Sequence, residues 1–225
     1  MLEEKLTDLK RELIGFASLV EQMIKKSIQG LLDKKRELLL EILENDEPKA
    51  NSLELRLEEL CTNSIAQFEP KAKDLRTILM IAKMSNDLER MGDHAVNIAE
   101  SSLFLIERPP VKPMLDIPRM ADLTAKMLRD SINSFINEDT KLAKDVCKRD
   151  SLVDNLKDQL LRELITFMTS DPSTIERSLN LMRISGNLER IADLSTNICE
   201  DVIFVAKGQV IKHHKLNGKE EGKSM

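Results

Sequence analysis

The sequence contains a stretch of fourteen residues that returns, half of it unchanged, one hundred residues later. Residues 87–100 read DLERMGDHAVNIAE, residues 187–200 read NLERIADLSTNICE, and seven of the fourteen positions are identical. Matched pairs also occur earlier in each half: Met23 and Met127, Ser27 and Ser131, Ile28 and Ile132, Leu53 and Leu156, Leu57 and Leu160. A period of about 100 residues is too long for a solenoid, whose units run to about 20–50 residues. The fold must therefore build one larger unit twice.

The apolar residues within each half have the spacing of helices. Leucine, isoleucine and methionine recur every three or four residues, which is the period of an amphipathic helix. Aromatic residues make up only 3% of the chain, Trp and Tyr are missing, and Gly occurs 7 times. Strands and their turns draw on those residue types, so the composition argues against a sheet protein. The sequence predicts an all-α fold.

Proline and charge predict how the helices are grouped. Residues 109–118 are rich in proline and predict a linker between two three-helix bundles, residues 1–108 and 119–207. Residues 208–225 are polar and predict a tail outside the bundles. Each bundle is expected to contain a long, a short and a long helix. The predicted breaks between these helices fall near residues 45–47, 69–70, 149–151 and 170–172.

Charge and cysteine content exclude several classes of protein. The net charge is −5, and no basic block or aromatic platform favours nucleic-acid binding. No apolar run approaches the ~18 residues of a spanning helix, and the N-terminus lacks the apolar core of a signal peptide. Cys61, Cys147 and Cys199 are scattered, which is typical of buried thiols in a reducing compartment. We therefore expect a cytoplasmic protein without membrane insertion.

Both copies of the repeated stretch keep the same acidic and amide residues, while several apolar positions differ. On a helix these polar side chains fall within an arc of about 80°, so they stack on one face. The two stripes are Glu89, Asp93, Asn97 and Glu100 in the first half, and Glu189, Asp193, Asn197 and Glu200 in the second. Stacked acids destabilise an isolated helix by ~0.2–0.5 kcal/mol per pair. Because hard cations prefer carboxylate and amide oxygens, the stripes predict metal sites.

The second helix of each half offers further oxygen ligands. Asp150 and Asp154 correspond to Glu47 and Asn51, and each pair would lie at the start of a helix beside a stripe. Counted with their stripes, the second half has five carboxylates and the first half four, which predicts tighter cation binding in the second half.

Two simpler interpretations stay open for these residues. An acid at a helix start also caps backbone N–H groups and suits the helix dipole, which applies to Asp150 and to Glu47. The stripes themselves could be solvated faces or members of salt bridges between helices.

Other chemistry-bearing residues give weaker signals. His94 corresponds to Leu194 in the repeat, and His213 and His214 lie in the polar tail. No Glu-x-x-His pair, HExxH motif or phosphate-binding glycine loop is present, and no serine or cysteine has a base partner in sequence. We therefore predict no catalytic site.

The duplicated motif, N/D-L-E-R-x-x-D-x-x-x-N-I-x-E on the last helix of each half, resembles that of the PhoU family. The resemblance covers residues 5–207 and implies a cytoplasmic negative regulator of phosphate uptake and of the phosphate-starvation response. It implies action at the inner face of the membrane with the phosphate ABC transporter and a sensor kinase. It leaves open whether the protein forms a homodimer.

The resemblance also implies multinuclear metal clusters, iron in particular, held by Glu/Asp-x-x-x-Asp pairs. The matching pairs are Glu89 with Asp93, Glu189 with Asp193, and Asp150 with Asp154. The first half departs from the pattern, since it has Glu47 followed by Asn51. Two other functions stay open: a carboxylate-bridged metalloenzyme, and a metal-free helical scaffold that docks a basic partner.

Overall fold

The structure is a computed structural model that describes residues 1–207, and its regular elements are all helical. The helices are α1 (Leu2–Leu32), α2 (Arg36–Glu41), α3 (Glu47–Phe68), α4 (Ala72–Ile106), α5 (Asp116–Ile136), α6 (Thr140–Ser170) and α7 (Ile175–Lys207). A π-helical segment, Ile42–Asp46, joins α2 to α3 without a break, so each half consists of three helical rods. The all-α prediction is confirmed. The predicted tail at 208–225 lies outside the described residues.

The predicted break at 45–47 is wrong, because the chain turns earlier, at residues 33–35. Lys34 lies there in the left-handed region, with φ 53°. The chain stays helical up to Pro48, and the N–H of Glu47 bonds to the carbonyl of Ile42, one residue further back than in an α-helix. A π turn is wider than an α turn, so the proline ring is accommodated without ending the helix.

The predicted break at 149–151 is also wrong, because the turn lies at residues 137–139. Glu138 has φ 51°, and Asp139 caps α6 by accepting hydrogen bonds from the N–H groups of Lys141 and Leu142, at 2.9 and 3.0 Å. The second rod of each half is therefore long rather than short. Asp150 consequently lies in the interior of α6, so it does not cap the helix.

The remaining helix boundaries agree with the sequence. The chain leaves helical structure near residues 69–71 and again at Asp171, whose carboxylate accepts a hydrogen bond from the N–H of Ser173 at 3.0 Å. The prolines at 109–113 lie between α4 and α5. Pro118 lies in the first turn of α5, where a helix tolerates proline.

Each half packs its three rods around a shared core, and the halves join side by side. In the first half α1, α3 and α4 contact one another; in the second half α5, α6 and α7 do the same. The halves meet where α4 packs against α7 and α1 packs against α5. No helix within residues 1–207 is long and apolar enough to cross a membrane.

Equivalent residues of the two halves are buried in similar ways in the core. The residues of α4 that the stripe geometry assigns to the core are all fully buried: Leu88, Met91, Ala95, Ile98 and Ala99. The equivalent serines Ser27 and Ser131 are also fully buried, and each hydroxyl donates to the carbonyl three residues earlier, at 2.8 Å. The same packing solution is thus used twice.

One ion pair between the first and second rods reverses its polarity between the halves. In the first half Lys26 of α1 donates to Asp46 of the π segment at 2.6 Å. In the second half the equivalent positions are Asp130 of α5 and Arg149 of α6, which also form an ion pair. The contact is repeated, but the acid and the base have exchanged helices.

Candidate functional site

The acidic residues of the first half gather where α3 packs against α4. Glu89 and Asp93 of α4 lie near Glu47 and Glu54 of α3, and we call these four residues the first-half acid cluster. Burial raises the pKa of Glu89, and the charges of Asp93, Glu54 and Glu47 raise it further. Repulsion among carboxylates therefore makes this surface a place where a cation is favourable. Asn51 lies beside the cluster and donates its side-chain amide to Glu47 at 2.8 Å.

The equivalent surface of the second half contains a lysine. Its acids are Asp150 and Asp154 of α6 with Glu189 and Asp193 of α7, which we call the second-half acid cluster. Burial raises the pKa of Asp154, and Glu189 raises it further. Lys157 lies 3.0 Å from Glu189, and its charge acts in the opposite direction on Asp154. This cluster is therefore partly neutralised by the protein itself.

Two residues that matter here, Glu54 and Lys157, were not among the predicted ligands. They occupy equivalent positions of the repeat, one turn after Asn51 and Asp154. Aligning the second rods of the two halves residue by residue would have revealed this exchange of an acid for a base.

The predicted stripes do not face one surface. Asn97 and Glu100 lie further along α4 than Glu89 and Asp93, and they line a groove between α4 and α7. Asn197 is exposed and Glu200 is half-buried on α7. The stripes of both halves thus contribute only their first two acids to the acid clusters.

The oxygen donors have the chemistry of a hard-cation site, but they are not gathered as one. Carboxylates and an amide are the ligands that such cations take. Within residues 1–207, however, no group of three or more His, Cys, Asp or Glu side chains is arranged to hold a metal ion. The first-half acid cluster fits a cation in charge and ligand type, and its side chains would have to draw together around the ion.

The contact between the halves buries a second set of charges. Asp87 of α4 is 5% exposed and Asp201 of α7 is 6% exposed. Lys83 donates to Asp201 at 2.6 Å, and Arg90 lies 3.6 Å from Asp87. Burial, reinforced by the charge of Asp201, raises the pKa of Asp87 to about 6.

His94 and the cysteines have structural surroundings. His94 donates from Nδ1 to the side-chain oxygen of Asn187 across the α4–α7 contact at 2.9 Å, and burial lowers its pKa. Cys61, Cys147 and Cys199 are all free thiols. Burial raises the pKa of Cys61 to about 11, and contact with Cys147 together with burial raises that of Cys199. Such thiols are poor nucleophiles.

Comparisons with known proteins give one consistent result. The family described as the PhoU domain matches the chain twice, at residues 13–102 and 117–202. A "phosphate-specific transport system accessory protein PhoU homolog" from Aquifex aeolicus is 40% identical over 220 residues, covering 98% of this chain and 99% of the relative. A protein of the same description from Pseudomonas aeruginosa is 32% identical over 218 residues, covering 96% and 90%.

Solved structures agree with the sequence relatives. The crystal structure of PhoU from Pseudomonas aeruginosa superimposes with a TM-score of 0.88 at 31% identity, covering 93% of this chain and 100% of that one. The phosphate transport system regulatory protein PhoU from Streptococcus pneumoniae also gives a TM-score of 0.88, at 28% identity, with 94% and 100% coverage. The two matched domains, the sequence relatives and the solved structures all show that the chain belongs to the PhoU family.

Proposed function

We propose that this protein is a negative regulator of phosphate uptake and of the phosphate-starvation response. It acts as a helical adaptor rather than an enzyme, in the cytoplasm, with the phosphate ABC transporter and its sensor kinase at the inner face of the membrane. Support comes from family membership and from relatives whose names describe accessory proteins of a phosphate-specific transport system.

The first-half acid cluster is the observation that carries the metal-binding part of the proposal. Its four carboxylates belong to two different helices, and burial together with repulsion from the other three raises the pKa of Glu89. A bound hard cation relieves that repulsion and ties α3 to α4. Iron is the first choice for this ion, and magnesium, manganese or calcium suit the same oxygen ligands. The second-half acid cluster binds the same class of ion more weakly, because Lys157 already pairs with Glu189.

A second candidate function uses the same surface without a metal. Because no preformed metal-binding group is present in residues 1–207, the first-half acid cluster could instead dock a basic helix of a partner protein. Elemental analysis of protein purified without an affinity tag separates the two functions. Stoichiometric metal supports the first, and a metal-free protein that binds its partner supports the second.

Phosphate uptake in living cells tests the regulatory role. In cells that lack their own accessory protein, expression of this chain should lower phosphate uptake and silence the starvation response during growth in ample phosphate. A variant with all four acids of the first-half acid cluster changed to Gln or Asn should lose this effect. A matched variant, Glu58→Gln with Glu59→Gln on the exposed face of α3, should keep it. Unchanged uptake with the wild-type chain would contradict the proposed function.

A further inference from the structure

Two sets of residues meet at the α4–α7 contact. They occupy equivalent positions of the repeat, but their residue types differ. Lys83 and Arg90 of α4 correspond to Arg183 and Arg190 of α7. The residues that accompany these bases have changed as well: Asp87 corresponds to Asn187, and Asp201 corresponds to Ser101. The bases are thus present in both sets, but the carboxylates are present in only one.

In the first set, carboxylates of the protein itself lie beside the bases. Lys83 bonds to the buried carboxylate of Asp201, and Arg90 lies near the buried carboxylate of Asp87. Two bases therefore face two acids, and the local charge is balanced.

In the second set the equivalent bases form no such ion pairs within residues 1–207. Asp201 pairs with Lys83 and Glu189 pairs with Lys157, but no ion pair involving Arg183 or Arg190 is seen among the residues that the structure describes. Arg183 and Arg190 are exposed, two turns apart on the same side of α7. The neutral residues Asn187 and Ser101 lie where the other set has its carboxylates.

The second set also lines an open groove. The α4–α7 groove has a volume of about 770 Å³, and both arginines line it together with Asn187 and Ser101. Asn187 is fixed in place, since it donates to the carbonyl of Arg183 at 2.8 Å and accepts from His94. Glu100 and Glu176 also line the groove, and neither forms an ion pair with the arginines. As far as residues 1–207 show, the two guanidinium groups are therefore available to a ligand.

We infer that the α4–α7 groove binds a phosphate group. Its oxygens pair with Arg183 and Arg190, as the carboxylates of Asp201 and Asp87 pair with Lys83 and Arg90 in the first set. The planar guanidinium of arginine matches the oxygens of a phosphate group with two parallel hydrogen bonds. Arg183 and Arg190 are the binding residues, and the groove is large enough for inorganic phosphate or for a small phosphate monoester. Arg183 and Arg190 also line a neighbouring groove with Glu189 and Asp193 of the second-half acid cluster, and the inference does not require a metal ion to be bound there.

Titration calorimetry of the whole protein tests this inference, with inorganic phosphate and glycerol 2-phosphate as probes at constant ionic strength. We expect saturable binding of one phosphate per chain, and at least tenfold weaker binding in Arg183→Gln and in Arg190→Gln. Arg90→Gln is the matched control, because it removes the equivalent arginine of the balanced set, and it should bind phosphate as the wild type does. Binding of both probes shows that the groove recognises the phosphate group, and binding of inorganic phosphate alone identifies the free ion as the ligand.

A second variant gives an independent answer. Asn187→Asp places in the groove the carboxylate that the equivalent Asp87 provides, so it should abolish phosphate binding while the helical circular dichroism spectrum is unchanged. Failure of both probes to bind the wild type would overturn the inference. Equal losses in Arg90→Gln and Arg190→Gln would also overturn it, since binding would then follow total charge rather than this groove.

Discussion

The two acid clusters occupy equivalent places in the two halves, yet they differ in the residue that accompanies the acids. In the first half Glu54 adds a fourth carboxylate, whereas in the second half Lys157 forms an ion pair with Glu189. Counting carboxylates along the stripes favours the second half as the tighter cation site; the side-chain contacts favour the first. The comparison teaches that two clusters with the same number of carboxylates can differ in charge, because one of them contains a base that already pairs with an acid.

The same pattern recurs where the halves meet. Both halves bury their apolar residues and their core serines in the same way, but Asp87 and Asp201 have neutral counterparts in Asn187 and Ser101. Packing has stayed alike because a core tolerates little change in shape, while charges at contacts have diverged. Exchanging residues between equivalent positions therefore tests each difference directly.

The largest effect is expected at Gly30 of α1, which lies against Leu39 of α2. Gly30 corresponds to Ser134. A Cβ atom at Gly30 would lie 2.5 Å from Cδ2 of Leu39, which is fully buried. Gly30→Ser should therefore lower the free energy of unfolding by about 3 kcal/mol, the upper end of the cost of overpacking. Urea denaturation followed by circular dichroism measures this loss.

Removing the hydroxyl of the equivalent residue in the second half should cost much less. Ser134 is fully buried, donates to the carbonyl of Ser131 at 2.7 Å, and also forms a side-chain hydrogen bond with Cys199 of α7. Ser134→Ala should lower the free energy of unfolding by about 1 kcal/mol, because it removes one hydrogen-bonding hydroxyl but introduces no atom that the core must accommodate. Equal losses at the two positions would show that the close contact with Leu39 is not what distinguishes the halves.

The next effect concerns Asp87, whose pKa of about 6 lies well above its ordinary value of 3.8. The folded protein binds this proton more tightly than the unfolded chain, so the carboxyl group destabilises the fold at neutral pH. Stability should rise as the pH falls from about 6 towards 4. Asp87→Asn copies the second half, and it should raise the free energy of unfolding by about 2 kcal/mol at pH 7.5.

Urea denaturation at pH 7.5, 6 and 4.5 checks both the size and the sign of this effect. The gain from Asp87→Asn should shrink as the pH falls, because the wild-type carboxyl group becomes protonated. Asp122→Asn on the exposed face of α5 serves as the control and should change little at any of the three values. A loss of stability in Asp87→Asn at pH 7.5 would show that its contact with Arg90 outweighs the cost of burial.

The smallest effect tests the acid clusters themselves. Glu54→Lys gives the first half the residue of the second, and should weaken binding of Mn²⁺ there about tenfold; Lys157→Glu should strengthen binding in the second half by a similar factor. Titration followed by electron paramagnetic resonance measures both affinities. The exposed changes Glu58→Lys and Lys148→Glu carry the same charge reversals and should have little effect. If the controls act as strongly, net charge rather than the cluster determines binding.

Periodicity and duplication were sufficient to predict the helical class and the residues of the core. They failed at the second rods, because Pro48 suggested a helix start that a π turn makes unnecessary, and because Asp139 is an ordinary-looking cap in a polar stretch. The stripes include Glu89 and Asp93 of the first-half acid cluster, but they leave out Glu54 and Lys157. A stripe of residues along the sequence predicts which side chains share a face of one helix. A site between helices also depends on the side chains of the neighbouring rod.

The reversed ion pair between the first and second rods also bears on how a duplicated chain avoids assembling wrongly. Because the two halves have similar apolar patterns, α1 could in principle dock in the place of α5 while the chain is folding. That exchange would bring Lys26 against Arg149 and Asp130 against Asp46, two pairs of like charge in half-buried surroundings. The correct arrangement instead gives two pairs of opposite charge. The order of acid and base in this one ion pair thus favours the pairing of each helix with its own half. Two copies of one unit can therefore fold within one chain without exchanging helices.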